Sequence, residues 1–375
     1  TKIMNLRETF SSIKLIIQGW YEKNHRDLPM RLTRDPYRTW VAEVILQQTR
    51  MDQGLPYLLN FLHAYPDVGA LASAPEDEVL RLWQGLGYYS RARNMHASAR
   101  FIVEQLGGEM PGSYEALLKL KGVGKYTAAA IASWCYGEPV AAVDGNVARV
   151  IARLFGIKEA VNSPAGERLV QKLAGELLDC SDPGRHNQAM IDLGALLCVP
   201  QTPRCLDCPL ADFCEAKQQG NVDQIPKKLK NKKPVDRWFN YYMIISGKKT
   251  ILVRRGEKDI WEGLFEPPML ETESPVSSEE LIRQMLPQML EELERPAELQ
   301  EGETSYSSVG VVIGEPSSPI RHQLSHQTIY ARFLPVELDS LPVSLPVKWQ
   351  AVPLEDLGLY AMPRLIHRYL ESSNF

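Results

Sequence analysis

Apolar residues return at helical spacing from the first turns of the chain, with Leu6, Phe10, Ile13, Ile17 and Trp20 on one face. Asn5 and Glu8 stand three residues apart ahead of that stripe, the spacing of a capping box. Asp35-Pro36 opens a second helix, Asp as N-cap and Pro in the first turn. Ser73 with Glu76 is expected to open another, closed by Gly85. Periodic segments follow at 89–106, 113–120, 125–136, 145–155, 164–178 and 186–197. Strand-like alternation is nearly absent before residue 235, so residues 1–217 are expected to be all-α.

Periodicity then fails across 218–236, which holds the basic, proline-bounded run from Pro226 to Pro234 and reads as an interdomain linker. Such a run either lies along a phosphate backbone or is a solvated tether. Beyond it the texture is α+β over 237–375. Strand-like segments at 239–246 and 250–254 flank Gly247-Lys248-Lys249, a hairpin signal. An acidic helical stretch follows at 278–293, strands at 307–313 and 328–335, and a helix at 363–371.

Composition narrows the function classes. A chain of 375 residues is long enough for two or three domains with ample core. The terminus TKIMNLRETF has no signal-like apolar stretch, and no apolar run is long enough to span a bilayer, so a cytoplasmic protein without membrane contact is expected. The net charge of −4 argues against coating nucleic acid by bulk charge, so any DNA contact must use local basic patches or backbone amides.

Four of the six cysteines, Cys198, Cys205, Cys208 and Cys214, fall in the pattern C-x6-C-x2-C-x5-C. In a chain without a secretory signal, thiols so close together suit a metal centre better than disulfides. Only one tight pair is present, whereas structural zinc sites usually use two. Four thiolates in one short loop instead suit a cubane [4Fe–4S] cluster. Zinc is the alternative. Cys135 and Cys180 read as ordinary free thiols.

Two turns carry further chemistry. Gly122-Val123-Gly124, followed by Lys125-Tyr126-Thr127, joins two helices. Gly122 suits a left-handed helix end, Gly124 permits close backbone approach, and the next helix offers free N–H groups to a DNA phosphate. Taken alone, G-V-G is a tight structural turn. In Val143-Asp144-Gly145-Asn146-Val147, Asp144 taken alone is a helix N-cap.

Glycine turn, then Asp, then cysteine loop on a helical scaffold resembles the helix–hairpin–helix DNA glycosylase superfamily. Within it the chain resembles the MutY-type adenine DNA glycosylases over nearly its whole length. The carrying motifs are Leu28-Pro29-Met30-Arg31, Val41-Ala42-Glu43-Val44-Ile45-Leu46-Gln47-Gln48-Thr49, the run from Gly85 to Asn94 and the run from Asn187 to Ala195. The two turns and the cysteine loop complete the set. Met30 stands where that family usually has tryptophan. The resemblance implies a multidomain protein: an all-α helix–hairpin–helix core with an iron–sulfur loop, then an α+β Nudix-like domain. It implies base-excision repair, with adenine opposite 8-oxoguanine or guanine flipped out of double-stranded DNA and hydrolysed from its sugar. It also implies a monomer at the bacterial nucleoid.

Residue by residue, the resemblance gives Glu43 the task of protonating the base at N7, because adenine is a poor leaving group until its ring takes a proton. It sets Asp144 against the oxocarbenium-like sugar, with Asn146 and Tyr126 beside it. Arg26, Arg31, Leu46 and Gln188 match the adenine pocket. Gln48 and Tyr88 match residues that fill the opened helix and contact the opposite strand; Thr49, Gly122, Gly124 and Lys125 belong to motifs that meet DNA. Glu43, Gln47 and Arg50 are expected to share a polar stripe at i, i+4 and i+7 that lines a cleft, though such a stripe is equally a solvated face. A partly desolvated carboxyl there keeps its proton more readily. Endonuclease III-like lyases carry a Schiff-base lysine where this chain has Tyr126, and Lys125 lies one position and about 100° away. No efficient lyase activity is expected.

In the C-terminal part, the run from Trp261 to Pro267 resembles the family's Nudix-like W-x-G-L-x-E pattern. A downstream R-E-x-x-E-E metal cluster is not found, and Ser277-Ser278-Glu279-Glu280 is a poor substitute, so recognition rather than hydrolysis is expected. Leu324-Ser325-His326 matches the loop that reads 8-oxoguanine, with Leu where Phe is usual; Ser325 and His326 would accept a hydrogen bond from the lesion's N7–H. Competing readings are a thymine or oxidised-pyrimidine glycosylase of the same superfamily, a non-catalytic iron–sulfur DNA-binding protein, and a Nudix nucleotide hydrolase.

Overall fold

The computed structural model describes residues 6–230, 233–294 and 310–373, with the side chains of Leu6, Arg7 and Glu294 left aside. It forms two compact units that do not follow chain order. One comprises Thr1–Ala74 and Asn94–Lys230; the other comprises Pro75–Arg93 and Asn231–Phe375.

The helices before residue 235 are α1 (Leu6–Asn24), α2 (Pro36–Leu46), α3 (Met51–Ala64), α4 (Val68–Ser73), α5 (Glu76–Leu82) and α6 (Ser90–Leu106). They continue with α7 (Tyr114–Leu117), α8 (Lys125–Tyr136), α9 (Gly145–Leu154), α10 (Pro164–Leu177), α11 (Pro183–Leu196) and α12 (Glu215–Gln218). Among the described residues no strand precedes Val235. Ile13, Ile17, Ile151, Val170, Leu177 and Leu193 bury one continuous core between α1, α9, α10 and α11. Each such side chain contributes roughly 1.5–3 kcal/mol. Gly194 lets α11 approach α9 closely, since a Cβ there would lie 2.9 Å from the Asn146 carbonyl oxygen. That contact sets the start of α9, where Asp144 sits.

Several boundaries differ from the periodicity reading. Asp35 does cap α2, accepting from Arg38 N. Ser73 ends α4 instead of opening a helix, and α5 starts behind Pro75 as its N-cap. Proline fixes φ and so suits that junction. α3 was hidden by its own Gly54 and Pro56. The helix expected over 113–120 shortens to α7, because the chain is already turning toward Gly122. The polar stripe does not extend to Arg50: α2 ends at Leu46, Gln47 is its C-cap, and Gln48 takes φ +57°. Arg50 is instead the N-cap of α3. The expected capping residue Asn5 lies outside the described residues.

The second unit is built on an eight-stranded sheet: β1 (Val235–Ser246), β2 (Lys249–Arg254), β3 (Phe265–Glu266), β4 (Met269–Thr272), β5 (Val311–Ile313), β6 (Ile320–Gln323), β7 (Gln327–Leu338) and β8 (Trp349–Pro353). Its main path runs β3-β2-β1-β7-β5. Of the segment 307–313, residues 307–309 lie outside the described set. β1 and β7 are parallel, in register from Val235↔Gln327 to Ile245↔Glu337. Both faces of this central pair are apolar, with Phe239, Tyr241 and Phe333 on one side and Tyr242, Ile244 and Leu334 on the other. Ser246 pairs with Lys249, so the hairpin turn is the two residues Gly247-Lys248, with Gly247 at φ +56°. α13 (Ser278–Glu280), a π-helical turn, α14 (Leu286–Glu294) and α15 (Arg364–Ser372) complete the unit. Within it the 75–93 segment is tied down by Arg254 to Asp77 at 2.8 Å and by the Tyr89 hydroxyl to the Met362 carbonyl at 3.3 Å. No described helix is long and apolar enough to cross a membrane.

Candidate functional site

A cavity of about 750 Å³ in the helical unit gathers most of the residues singled out from the sequence. Glu43 and Leu46 come from the last turns of α2, and Arg26 and Arg31 from the segment after α1. Gly122, Gly124, Lys125 and Tyr126 come from the glycine turn and the start of α8. Asp144 and Asn146 lie at the start of α9, Gln188 on α11, and Gln48 just beyond the C-cap of α2. Met30, the departure from the family pattern, lines the same cavity. Thr49, Tyr88, Ser325 and His326 do not.

Local chemistry explains each placement. Gly122 has φ +81°, and a Cβ there would fall 2.7 Å from Asn94 Cβ, so only glycine fits the turn. Gly124 is the N-cap of α8 and supplies no side-chain cap, which leaves the first-turn N–H groups to the cavity side. Asp144 does cap α9, with Oδ1 accepting from Val147 N at 2.7 Å. Its Oδ2 accepts from Asn146 Nδ2 at 2.7 Å. The plain capping role thus coexists with a place on the cavity wall in one carboxylate.

Glu43 differs. Burial raises its carboxyl to about 7, opposed by a hydrogen bond from the Tyr126 hydroxyl and reinforced by the negative field of Asp144, while Arg31 pulls downward. Burial likewise pushes the Tyr126 hydroxyl well above its ordinary value, with Glu43 adding to the rise, so it stays a proton donor. The carboxyl groups of Glu43 and Asp144 line one cavity, and a carboxyl that keeps its proton there is able to act as an acid.

Behind Asn146, Arg149 donates to the Asn146 side chain at 3.0 Å, to the Gly194 carbonyl at 2.8 Å and to the Cys198 carbonyl at 2.6 Å. This ties the start of α9 to the cysteine loop. Cys198, Cys205, Cys208 and Cys214 line one small cavity with Leu197 and Val222. All four are free thiols. Arg153 Nη1 lies 3.4 Å from Cys198 Sγ. Burial pushes the Cys208 thiol up to about 11, and neighbouring Cys198 adds to the rise, so a thiolate there needs a cation. The donor set therefore fits a metal centre, although among the described residues no three His, Cys, Asp or Glu are drawn together as ligands of a single ion. Cys135 donates weakly to Thr39, and Cys180 is exposed.

In the second unit the Tyr88 hydroxyl is hydrogen-bonded to Ser325 Oγ. Tyr88 is half exposed and takes φ +49°, a conformation rare for a bulky side chain. His326 is exposed, and its carbonyl accepts from Val235 N. Glu266, the acid of the W-x-G-L-x-E run, is buried and bound to Arg255 at 2.6 Å and to the Tyr241 hydroxyl at 3.0 Å. Ser277 caps α13, and Glu279 pairs with Arg283 on the surface.

Sequence reasoning passed over Asp192, which lies inside the run from Asn187 to Ala195 and is fully buried against Arg26 and Arg31. An Asp set among Met190, Ile191 and Leu193 on an apolar helix was the available signal, because a buried carboxylate must be paired. Gln47, expected on the polar stripe, lines the cavity, and its amide donates to Thr127 at 2.9 Å, which steadies the end of α2 against α8.

Comparison with known proteins agrees with this geometry. Residues 41–176 match the model of the HhH-GPD superfamily of base excision DNA repair proteins, and residues 240–372 match a NUDIX domain. An adenine DNA glycosylase of Buchnera aphidicola is 31% identical over 316 residues, covering 84% of this chain and 83% of that protein. The human adenine DNA glycosylase is 43% identical over 216 residues, covering 55% of this chain and 40% of that protein. Among solved structures, a thermostable thymine-DNA glycosylase superposes with a TM-score of 0.53 at 28% identity, covering 56% of this chain and 98% of its own. An endonuclease III–DNA complex shares the fold at a TM-score of 0.50 and 23% identity, covering 58% of this chain and 99% of its own.

Proposed function

The chain belongs to the adenine DNA glycosylase family, base-excision repair enzymes that hydrolyse an N-glycosyl bond to remove adenine, and from that premise we propose that it acts on adenine opposite 8-oxoguanine or guanine, with Glu43 as general acid and Asp144 as the anion facing the sugar. The observation that carries this reading is the Glu43 carboxyl, raised to about 7 on the wall of a cavity that Asp144 also lines.

A flipped adenine enters the cavity between Leu46 and the Arg26–Arg31 segment, where Gln188 offers an amide to its polar edge. Glu43 delivers a proton to the ring, and the bond to the sugar weakens as the base becomes a better leaving group. Positive charge grows on the sugar as the bond breaks. Asp144, positioned by hydrogen bonds from Asn146 and the Val147 N–H, stabilises that charge. Water completes the hydrolysis. Lys125 is exposed on the cavity edge one helix position from Tyr126, which is engaged with Glu43, so we assign no Schiff-base step.

The glycine turn and the uncapped start of α8 suit a DNA phosphate. Gln48 lines the cavity in a left-handed conformation, where a side chain suits insertion into the opened duplex. The four cysteines would hold a [4Fe–4S] cluster, which when bound orders the loop between Cys198 and Cys214 and its basic residues. Four thiols from one short loop lining one cavity suit a cubane. The Nudix-like domain is assigned to lesion recognition through Ser325 and His326. The internal pairing of Glu266 with Arg255 supports a binding role over metal-dependent hydrolysis. We assign the chain as a monomer on cytoplasmic nucleoid DNA.

The test is base release from three duplexes carrying A:8-oxoG, A:G and G:T. Free adenine from the first two supports the reading. Thymine release from the third, with adenine retained, would move the protein to the thymine glycosylases.

A further inference from the structure

Asp192 is the most deeply buried carboxylate of the helical unit, with none of its side chain exposed. It receives four hydrogen bonds on two oxygens. Arg31 forks onto it, Nη1 to Oδ2 at 2.7 Å and Nη2 to Oδ1 at 2.8 Å. Arg26 adds Nε to Oδ1 at 2.6 Å and its backbone N–H to Oδ2 at 3.0 Å. Both arginines lie on the irregular segment after α1, and both line the catalytic cavity, whereas Asp192 does not. Arg31 also returns a bond to the Arg26 carbonyl at 3.1 Å, closing the segment on itself.

A bidentate pair of this kind fixes the plane of the guanidinium as well as its place. Arg31 is 9% exposed, and its Nε is buried with no hydrogen-bond partner among the described residues, which leaves a directed donor next to the cavity. The groups facing Arg31 are Asp192, Tyr21 and Glu43. Those facing Glu43 are Tyr126, Asp144, Arg31 and the Cys135 thiol. Arg31 is thus shared between a carboxylate behind the wall and the catalytic acid in front of it.

We propose that Asp192 is a positioning residue for the reaction: it holds Arg31 in the wall of the adenine pocket and keeps that guanidinium's charge committed away from Glu43. The inference deepens the function proposed above and rests on Glu43 being the acid. Without the Asp192 charge, Arg31 is free to favour ionised Glu43, and the acid loses its proton at lower pH. A merely structural Asp192 would leave the Glu43 titration where it is.

The experiment follows the Glu43 carboxyl by 13C NMR, its signal assigned by loss in Glu43→Gln, together with single-turnover adenine release across pH. Asp192→Asn is expected to lower the Glu43 midpoint by about one unit. It should slow release about 100-fold near neutral pH, with A:8-oxoG binding changed less than about threefold. Asp192→Glu, which restores the charge on a longer arm, should recover the midpoint and only part of the rate. The double variant Asp192→Asn/Arg31→Met removes both charges, and its midpoint should lie at or above that of the wild type. If Asp192→Asn does not fold, the double variant decides, and a midpoint below wild type overturns the proposal. An unshifted midpoint in folded Asp192→Asn overturns it as well. The NMR titration is independent of turnover. A wild-type protein that releases no adenine defeats the functional reading, and the titration still decides the role of Asp192.

Discussion

The Tyr126 hydroxyl faces the Glu43 carboxyl inside the cavity, the first turn of α8 against the end of α2, and acts on it as a hydrogen-bond donor. This bond favours the ionised acid while burial favours the protonated one, and burial wins. Glu43 therefore carries its proton at pH values where an ordinary glutamate has lost it.

The pH dependence follows directly. Single-turnover excision should hold at lower pH and fall as pH rises through about 7, where Glu43 loses its proton. Tyr126→Phe removes a bond to the charged form, so the fall should move to higher pH. A profile governed by an unperturbed carboxylate, already falling near pH 5, would disagree.

Glu43 also imposes a stability cost with a definite sign. Its folded value near 7 lies above the ordinary 4.5. The favourable contribution is fully present below about 4.5 and is lost as pH rises through 7, because the folded state must then bury the charge. Glu43→Gln removes that penalty. It should stabilise the protein by roughly 1–3 kcal/mol at pH 8 and by little at pH 5. Thermal melts at the two pH values measure the difference.

How much of this was legible beforehand depends on how local each signal is. The start of α8, the Asp144 cap and the cysteine loop were readable because each is set by a few adjacent residues. The break at Gln48 was not, since a left-handed glutamine has no marker in hydrophobic periodicity; it removed Arg50 from the stripe that Glu43 and Gln47 begin. The packing of Pro75–Arg93 with the sheet unit was hidden too, because it depends on partners such as Met362 that lie far along the chain. Asp192 lies inside one of the carrying motifs, yet its pairing with Arg26 and Arg31 crosses more than 160 residues.

The cysteine loop gives a compositional test. Protein purified without oxygen should be brown, with about four irons per chain for a cubane centre. Cys208→Ser should lose iron, open the stretch between Cys198 and Cys214 to protease and weaken duplex binding. Colourless, zinc-loaded protein with full activity would overturn the cluster assignment.

Tyr88 is hydrogen-bonded to Ser325, which the proposed function assigns to lesion selectivity. Ser325→Ala with His326→Ala should erode the preference for A:8-oxoG over A:G by about 1–3 kcal/mol, the range for a lost recognition hydrogen bond. Excision at A:G should persist, because Glu43 and Asp144 are untouched. Full retention of the preference in binding and in single-turnover rate would place the reader elsewhere in the Nudix-like domain.

The most direct measurement is single-turnover adenine release from an A:8-oxoG duplex by the wild type, Glu43→Gln and Asp144→Asn, with and without alkali. The wild type should liberate free adenine and leave strands that break only after alkali. Each variant should bind the duplex yet lose roughly 4 kcal/mol or more of transition-state stabilisation, about a thousandfold in rate. Near-normal release by either variant would contradict the assignment of that carboxyl group.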